Sequence, residues 1–367
     1  GGCPCCAALP AMALAAAADV DVHAVDTHSH LHVGAGAGPS GVALYSVAVL
    51  AVDERCWDDV SDYCALRCYA IPGFGVHPWR VHELEPGWQA RLAARLAQHP
   101  GALCGEIGLC KCAKNLRGPG TKARVWPLQV DAFLQQLAIA ARLQRPASVH
   151  CVKAHGALLE CLKAPSPPQL LQVLGPPAVS EGGRLPPAIA LHSFSGTADQ
   201  VRQLLAVDGM AGRLFFGFSH TVNVAMGGAP GSKAHDALLQ AIRAVPSDAL
   251  LVESDVDDSA SARPATVLAL QLVAHARSWT LEHAALRTAQ NGMRFMQAHV
   301  VGAPTDGDRA AAEPAVGCAP CDDADSDEPI EPPPSPRQRR RVWLDIRVTS
   351  LAASAAAAGL AVIITLQ

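Results

Sequence analysis

Two rhythms of apolar and polar positions divide the chain. Short apolar runs at Val20–Asp26, Val42–Val52, Tyr69–Gly75, Ala102–Ile107, Ala147–Val149, Ala188–Leu191, Arg213–Phe218 and Leu250–Glu253 predict eight strands. Between most of them apolar residues recur at spacings of three and four, as on a helix with one face on a core. The clearest stretch is 125–144, with Leu128, Ala132, Leu134, Leu137, Ala138 and Ala141 in register; 200–205, 234–245, 265–277 and 281–297 follow the same rule. Strand–helix alternation repeated in this way predicts an α/β fold, a (β/α)8 TIM barrel. Periodicity alone does not separate a closed barrel from a doubly wound sheet.

The polar residues that end these runs favour the barrel. D-T-H-S-H carries His28 and His30, C-G-E-I-G-L carries Glu106, and A-S-V-H-C carries His150. A-I-A-L-H-S-F-S-G carries His192 and L-L-V-E-S-D carries Asp255. In an extended strand, i and i+2 point to one face, so His28 and His30 are expected to reach one ion. A barrel gathers five strand ends at one mouth, whereas an open sheet spreads them apart. A lone histidine on an apolar run is more often a satisfied buried imidazole, so the argument rests on the ordered set.

Hydrolysis needs an activated water and a cation for the developing oxyanion, and two divalent ions bridged by a carboxylate provide both. Strand order assigns His28 and His30 to one ion, completed by Asp255, with Glu106 bridging and His150 and His192 holding the second. Asp255 is also placed to act as general base, which with Glu106 forms the expected catalytic pair. Mixed nitrogen and oxygen donors suit zinc, manganese or iron better than magnesium, and the identity stays open. His77 in G-V-H-P-W, Glu253 and Ser195 are the expected substrate contacts. Each has a plain structural alternative: a strand cap at a turn, an ion pair, and a tight turn beside Ser193 and Gly196.

Composition changes little of this. Half the residues are hydrophobic, 17% are charged, and the net charge is −4, so no global field draws the chain to nucleic acid. The 13 cysteines, in a chain too large to need staples, suggest reduced thiols and an intracellular protein, cytoplasmic or nuclear. Cys318 and Cys321 form an isolated C-x-x-C, a weak zinc signal. Residues 1–19 read as a low-complexity segment and 20–299 as the barrel, with 164–187 as a Pro/Gly-rich excursion. Residues 300–341 are acidic and proline-rich and then basic (RQRRR), predicting a disordered linker and C-terminal tail that suits a protein partner. The apolar stretch 342–367 reads as a loose tail rather than a membrane anchor, although a basic flank precedes it.

D-T-H-S-H-L-H, G-F-G-V-H-P-W, C-G-E-I-G-L, S-V-H-C, L-H-S-F-S-G and E-S-D, in that order, resemble the TatD-related metal-dependent hydrolases of the amidohydrolase superfamily over residues 20–299. The resemblance implies a deoxyribonuclease: two divalent ions on the matching positions, His77 near the substrate, and phosphodiester hydrolysis at DNA ends. This chain departs from the family pattern in carrying Cys110 where Asp is usual. His150-Cys151-Val152-Lys153-Ala154-His155-Gly156 also replaces H-C-R-x-A, so the cation of that slot comes one residue late, as in a divergent eukaryotic branch. Two rival readings remain: an amide or lactone hydrolase of the same superfamily, and a catalytically weak barrel used as an interaction module.

Overall fold

The computed structural model describes residues 22–33, 44–118, 120–163, 185–225, 228 and 230–298. Eight parallel strands stand in chain order: β1 (Val25–Ser29), β2 (Ser46–Leu50), β3 (Ala70–Phe74), β4 (Leu103–Cys110), β5 (Ala147–Val152), β6 (Ile189–Leu191), β7 (Leu214–Ser219) and β8 (Leu250–Glu253). Helices cross between them: α1 (Trp57–Ala65), α2 (Trp88–Gln98), α3 (Thr121–Arg142), α4 (His155–Lys163), α5 (Ala198–Leu205), α6 (His220–Asn223), α7 (Lys233–Ala244), α8 (Ser259–Arg277) and α9 (Leu281–Met296). The arrangement is the expected (β/α)8 barrel. The seam between β1 and β8 is closed by backbone hydrogen bonds from the Asp255 amide to the His28 carbonyl (3.0 Å) and from the His30 amide to the Val256 carbonyl (2.8 Å).

Alternation sorts the strand residues into two cores. Val47 and Val49 of β2 face outward to the helices, while Ala48 and Leu50 face the barrel interior with Val25, Leu103, Ala190, Phe215 and Leu251. Phe295 and Met296 at the end of α9 plug that interior from below and are fully buried. The lower interior is thus dry and apolar, and the polar side chains collect above it.

Several strand boundaries differ from those expected; β2 is Ser46–Leu50 of the expected run at 42–52, and three others bear on the site. β1 is displaced forward, through Asp26, Thr27, His28 and Ser29, all buried. Polar residues usually mark the end of an apolar strand run, but here they are buried within it. β4 and β5 each run three residues past the expected end, so Glu106 and His150 lie within strands rather than closing them. Gly108 permits this. At φ +148°, an added Cβ would sit 2.0 Å from the His150 carbonyl oxygen, so only glycine lets β4 lie this close to β5. Gly108→Ala is expected to cost about 3 kcal/mol, the upper end of overpacking penalties, in a denaturant-unfolding series.

The eight cysteines within the described residues are all free thiols. No helix of the described residues is long and apolar enough to cross a membrane. The expectations for residues 1–19 and 300–367, including the C-x-x-C and the tail, and for nearly all of the excursion at 164–187, lie outside the described residues.

Candidate metal centre

The expected donors converge on Glu106, which β4 carries into the upper interior. His150 Nδ1 lies 2.9 Å, His192 Nε2 2.8 Å and His77 Nε2 3.3 Å from Glu106 Oε1. On the other oxygen, His30 Nε2 is 3.4 Å and His28 Nε2 3.6 Å from Oε2. His28 and His30 bring their Nε2 atoms to 3.3 Å of each other, and Asp255 Oδ1 stands 3.9 and 3.8 Å from them. All these side chains are buried.

Donor spacing tests whether a cation fits. A tetrahedron with bonds of about 2.0–2.2 Å has edges of about 3.3–3.6 Å. His28, His30, Glu106 Oε2 and Asp255 Oδ1 stand 3.3–3.9 Å apart over the measured pairs, close to that frame. His28–His30–Glu106, His28–His192–Asp255 and His77–Glu106–His150 each form a potential ligand triplet. His150, His192 and Glu106 Oε1 are closer, with His150 Nδ1 3.1 Å from His192 Nε2. That spacing suits shared protons and must open by a few tenths of an ångström for a cation. The donor set fits a divalent metal.

Neighbouring groups fix the imidazoles. His30 Nδ1 donates to the Leu50 carbonyl at 2.9 Å, so Nε2 presents its lone pair to the cluster. His28 Nδ1 pairs with Ser148 Oγ at 2.9 Å, and its ring stacks on His192 at 3.8 Å. His77 differs: its Nδ1 accepts the Trp79 backbone N–H at 3.2 Å, which leaves a proton on the Nε2 aimed at Glu106. His77 is therefore set to donate a hydrogen bond, whereas His30 is set to donate a lone pair.

Asp255 reaches the cluster through a backbone turn at φ +53°, tolerable for Asp because its short polar side chain compensates locally. The single Ser193 hydroxyl proton lies within reach of both Asp255 Oδ2 (3.0 Å) and Glu253 Oε1 (3.0 Å), and the Ser193 amide donates to Glu253. Glu253 is fully buried beneath the cluster, 3.7 Å from His192 Nδ1. Its carboxylate accepts the Ser193 amide and lies within reach of the Ser193 hydroxyl. Ser195, the other expected substrate contact, is exposed on the loop beyond.

Several positioning groups carry no motif signal. Gln136 of α3 accepts from the Val76 amide (2.7 Å) and donates to the Val76 carbonyl (3.1 Å), fixing the backbone just before His77. Gln129 accepts from the Cys110 amide at 3.0 Å. Both glutamines are fully buried on the helix expected from apolar spacing, and a buried amide on a core face was the available clue. Asp26 Oδ1 receives the His28 and Ser254 amides, and burial pushes its carboxyl up to about 7 against those two donors.

Electrostatics couple the cluster to protons. Burial alone would raise the Glu106 carboxyl, but the imidazoles of His77, His192 and His150 hold it well below the ordinary range. Burial alone would lower His150, but hydrogen bonds to Cys110 and Glu106 push it up to about 9, and Glu106 likewise raises His192 far above its usual value. His28 is lowered by burial and by the stacked His192. The Cys110 thiol, which also accepts the Trp79 indole N–H (3.2 Å), is held below its ordinary value by His150 despite burial.

A prediction follows for the metal-free protein. The His150 value rises from 6.5 to about 9, so its imidazolium stabilises the fold fully below about pH 6.5 and that contribution is lost as pH climbs toward 9. A cation must displace the same protons, so its binding releases them and tightens across that window. Calorimetry is expected to show the melting temperature of chelator-treated protein falling from pH 6.5 to pH 9 while that of metal-loaded protein holds. Equal profiles with and without chelator would contradict this.

A (β/α)8 barrel with histidines and carboxylates converging inside its mouth defines a metal-dependent hydrolase scaffold. Residues 25–297 match the family described as TatD related DNase, and the chain belongs to that family. It is 28% identical over 225 residues to the Cut9-interacting protein scn1 of Schizosaccharomyces pombe, covering 55% of this chain and 64% of that one. It is 29% identical over 188 residues to the 3'-5' ssDNA/RNA exonuclease TatD of Edwardsiella piscicida, covering 51% of this chain and 57% of the relative. The alignments thus span less than two thirds of either relative's length. Among solved structures, YJJV, a TatD homologue from Escherichia coli, superposes with a TM-score of 0.55 at 18% identity, covering 74% of this chain and 96% of that one. An uncharacterized amidohydrolase from Saccharomyces cerevisiae gives 0.53 at 13% identity, covering 75% and 100%. These two likenesses speak for the fold alone.

Proposed function

We propose that the protein hydrolyses phosphodiester bonds at the ends of single-stranded nucleic acid, with two divalent ions that Glu106 and the surrounding histidines and Asp255 would hold. The observation that carries the reading is the spacing of His28, His30, Glu106 Oε2 and Asp255 Oδ1, near that of a tetrahedral cation site. His150 and His192, against Glu106 Oε1, would hold the second ion. Bound there, the ions would supply a Lewis acid and lower the pKa of water toward neutrality.

The chain's own groups do the rest. Asp255 Oδ2, steadied by the Ser193 hydroxyl, is available to take the proton of the attacking water. The His77 Nε2–H is available to a phosphoryl oxygen at the same place. Family membership and the name of the exonuclease relative support nucleic acid over an amide or lactone. The test is a 3′-labelled single strand incubated with metal-loaded, chelated and His30→Ala protein. Shortening is expected with the first alone, and elemental analysis is expected to find about two metals per chain. Turnover of an amide or lactone with no shortening of the strand would transfer the reading to that rival.

A further inference from the structure

Although the chain is net acidic, its residues 107–130 contain no carboxylate side chain, and within that span lie Lys111, Lys114, Arg117, Lys122 and Arg124. All five are exposed, and none is in an ion pair within the described residues. The β4–β5 register, in which Cys110 lies opposite Val152, puts exposed Lys153 beside Lys111. This is the local basic patch that whole-chain composition hides.

The strip is anchored to the mouth of the barrel. Lys111 follows Cys110, whose thiol lies against His150, and the Lys111 amide bonds to the Val152 carbonyl at 3.0 Å. Asn115 Nδ2 donates to the Pro78 and Trp79 carbonyls at 3.1 and 3.0 Å, pinning the strip to the loop that carries His77. At its outer end Gly120, Lys122, Ala123, Trp126 and Pro127 line an open depression of about 500 Å³. Lys111 Nζ stands 5.3 Å from the Trp126 ring centre, so an aromatic face and cations share one surface. Cations beside an aromatic platform are what a flexible polyanion with stackable bases requires.

We propose that residues 111–118 and 120–126, with Lys153, form the track along which a single-stranded nucleic acid lies as its end enters the barrel mouth. Phosphates follow the lysines and arginines, and a base stacks in the Trp126 depression. This rests on the hydrolase reading for the fate of the strand, though not for its binding.

Fluorescence anisotropy of a labelled oligothymidylate, in chelator so that nothing is cleaved, tests the track over a salt series. Each phosphate contact removed should lower the slope of log affinity against log salt by about 0.7, so K114A/R117A/K122A should lower it by about 2. Trp126→Ala should weaken binding about tenfold, and Trp126→Phe, which keeps a stacking face and guards against misfolding, should retain most of it. Lys163→Ala at the far end of α4 removes one charge from the opposite end of the barrel and should leave the slope unchanged. A wild type that does not bind, or a triple variant with the wild-type slope, overturns the track. Turnover of bis(p-nitrophenyl) phosphate by metal-loaded wild type reads the chemistry separately. If the hydrolase reading fails, no diester is cleaved yet the strip-dependent slope persists and supports the track; if the track fails, diester is cleaved and the slope ignores the strip.

Discussion

Glu106→Gln is expected to empty the metal site and reduce hydrolysis by at least about 100-fold, the upper range for removing even an outer-shell partner of a metal ligand. Glu106 touches both donor groups at the shorter distances, Asp255 reaching His28, His30 and His192 only at 3.8–3.9 Å. Its Oε1 faces His77, His150 and His192 and its Oε2 faces His28 and His30. Glutamine keeps the shape but loses the negative charge that neutralises any bound cation. The same change removes the main attraction raising His192 and, beside the Cys110 hydrogen bond, the Glu106 share of what raises His150, so both should titrate at lower pH in the variant. Elemental analysis and NMR titration of the imidazoles check the two halves. A variant that retains both metals and its rate would remove Glu106 from the bridging role.

Asp255→Asn separates holding a metal from moving a proton. His28, His30 and Glu106 remain to bind the first ion, so metal content should largely survive. A general base contributes about 10²–10⁴-fold, and the amide cannot replace it, so the rate should fall by that range. The measurement is kcat at matched metal content. Full activity at full occupancy would leave Asp255 a ligand only.

The sequence displayed the donors better than their supports. His192 and Asp255 stand just past strands, where a change from apolar to polar marks them. His28 and His30 show their shared face through a two-residue spacing. Glu106 and His150 are found by motif, but they lie inside strands that run three residues past the apolar runs. A run ending in Gly-Leu-Cys-Lys-Cys does not look like continuing strand, and only the Gly108 clearance explains why it does. Ser148, Ser193, Gln129 and Gln136 act through hydrogen bonds to groups far away in sequence. Such partners depend on the closed barrel, so local pattern shows at most a polar side chain on a core face, as for the two glutamines, and not what it holds. Glu253 shows the reverse limit: its spacing from Asp255 is legible, but its burial beneath Ser193 is not.

The seam of the barrel has a consequence of its own. The two backbone hydrogen bonds that join β1 to β8 belong to His28, His30 and Asp255 or their immediate neighbour. The first and last staves of the barrel are therefore fastened by the same residues that would grip the cation. A loaded centre would act as a clasp on the hoop, and stripping it should quicken deuterium uptake first at the His30 and Asp255 amides while β4 and β5 stay protected.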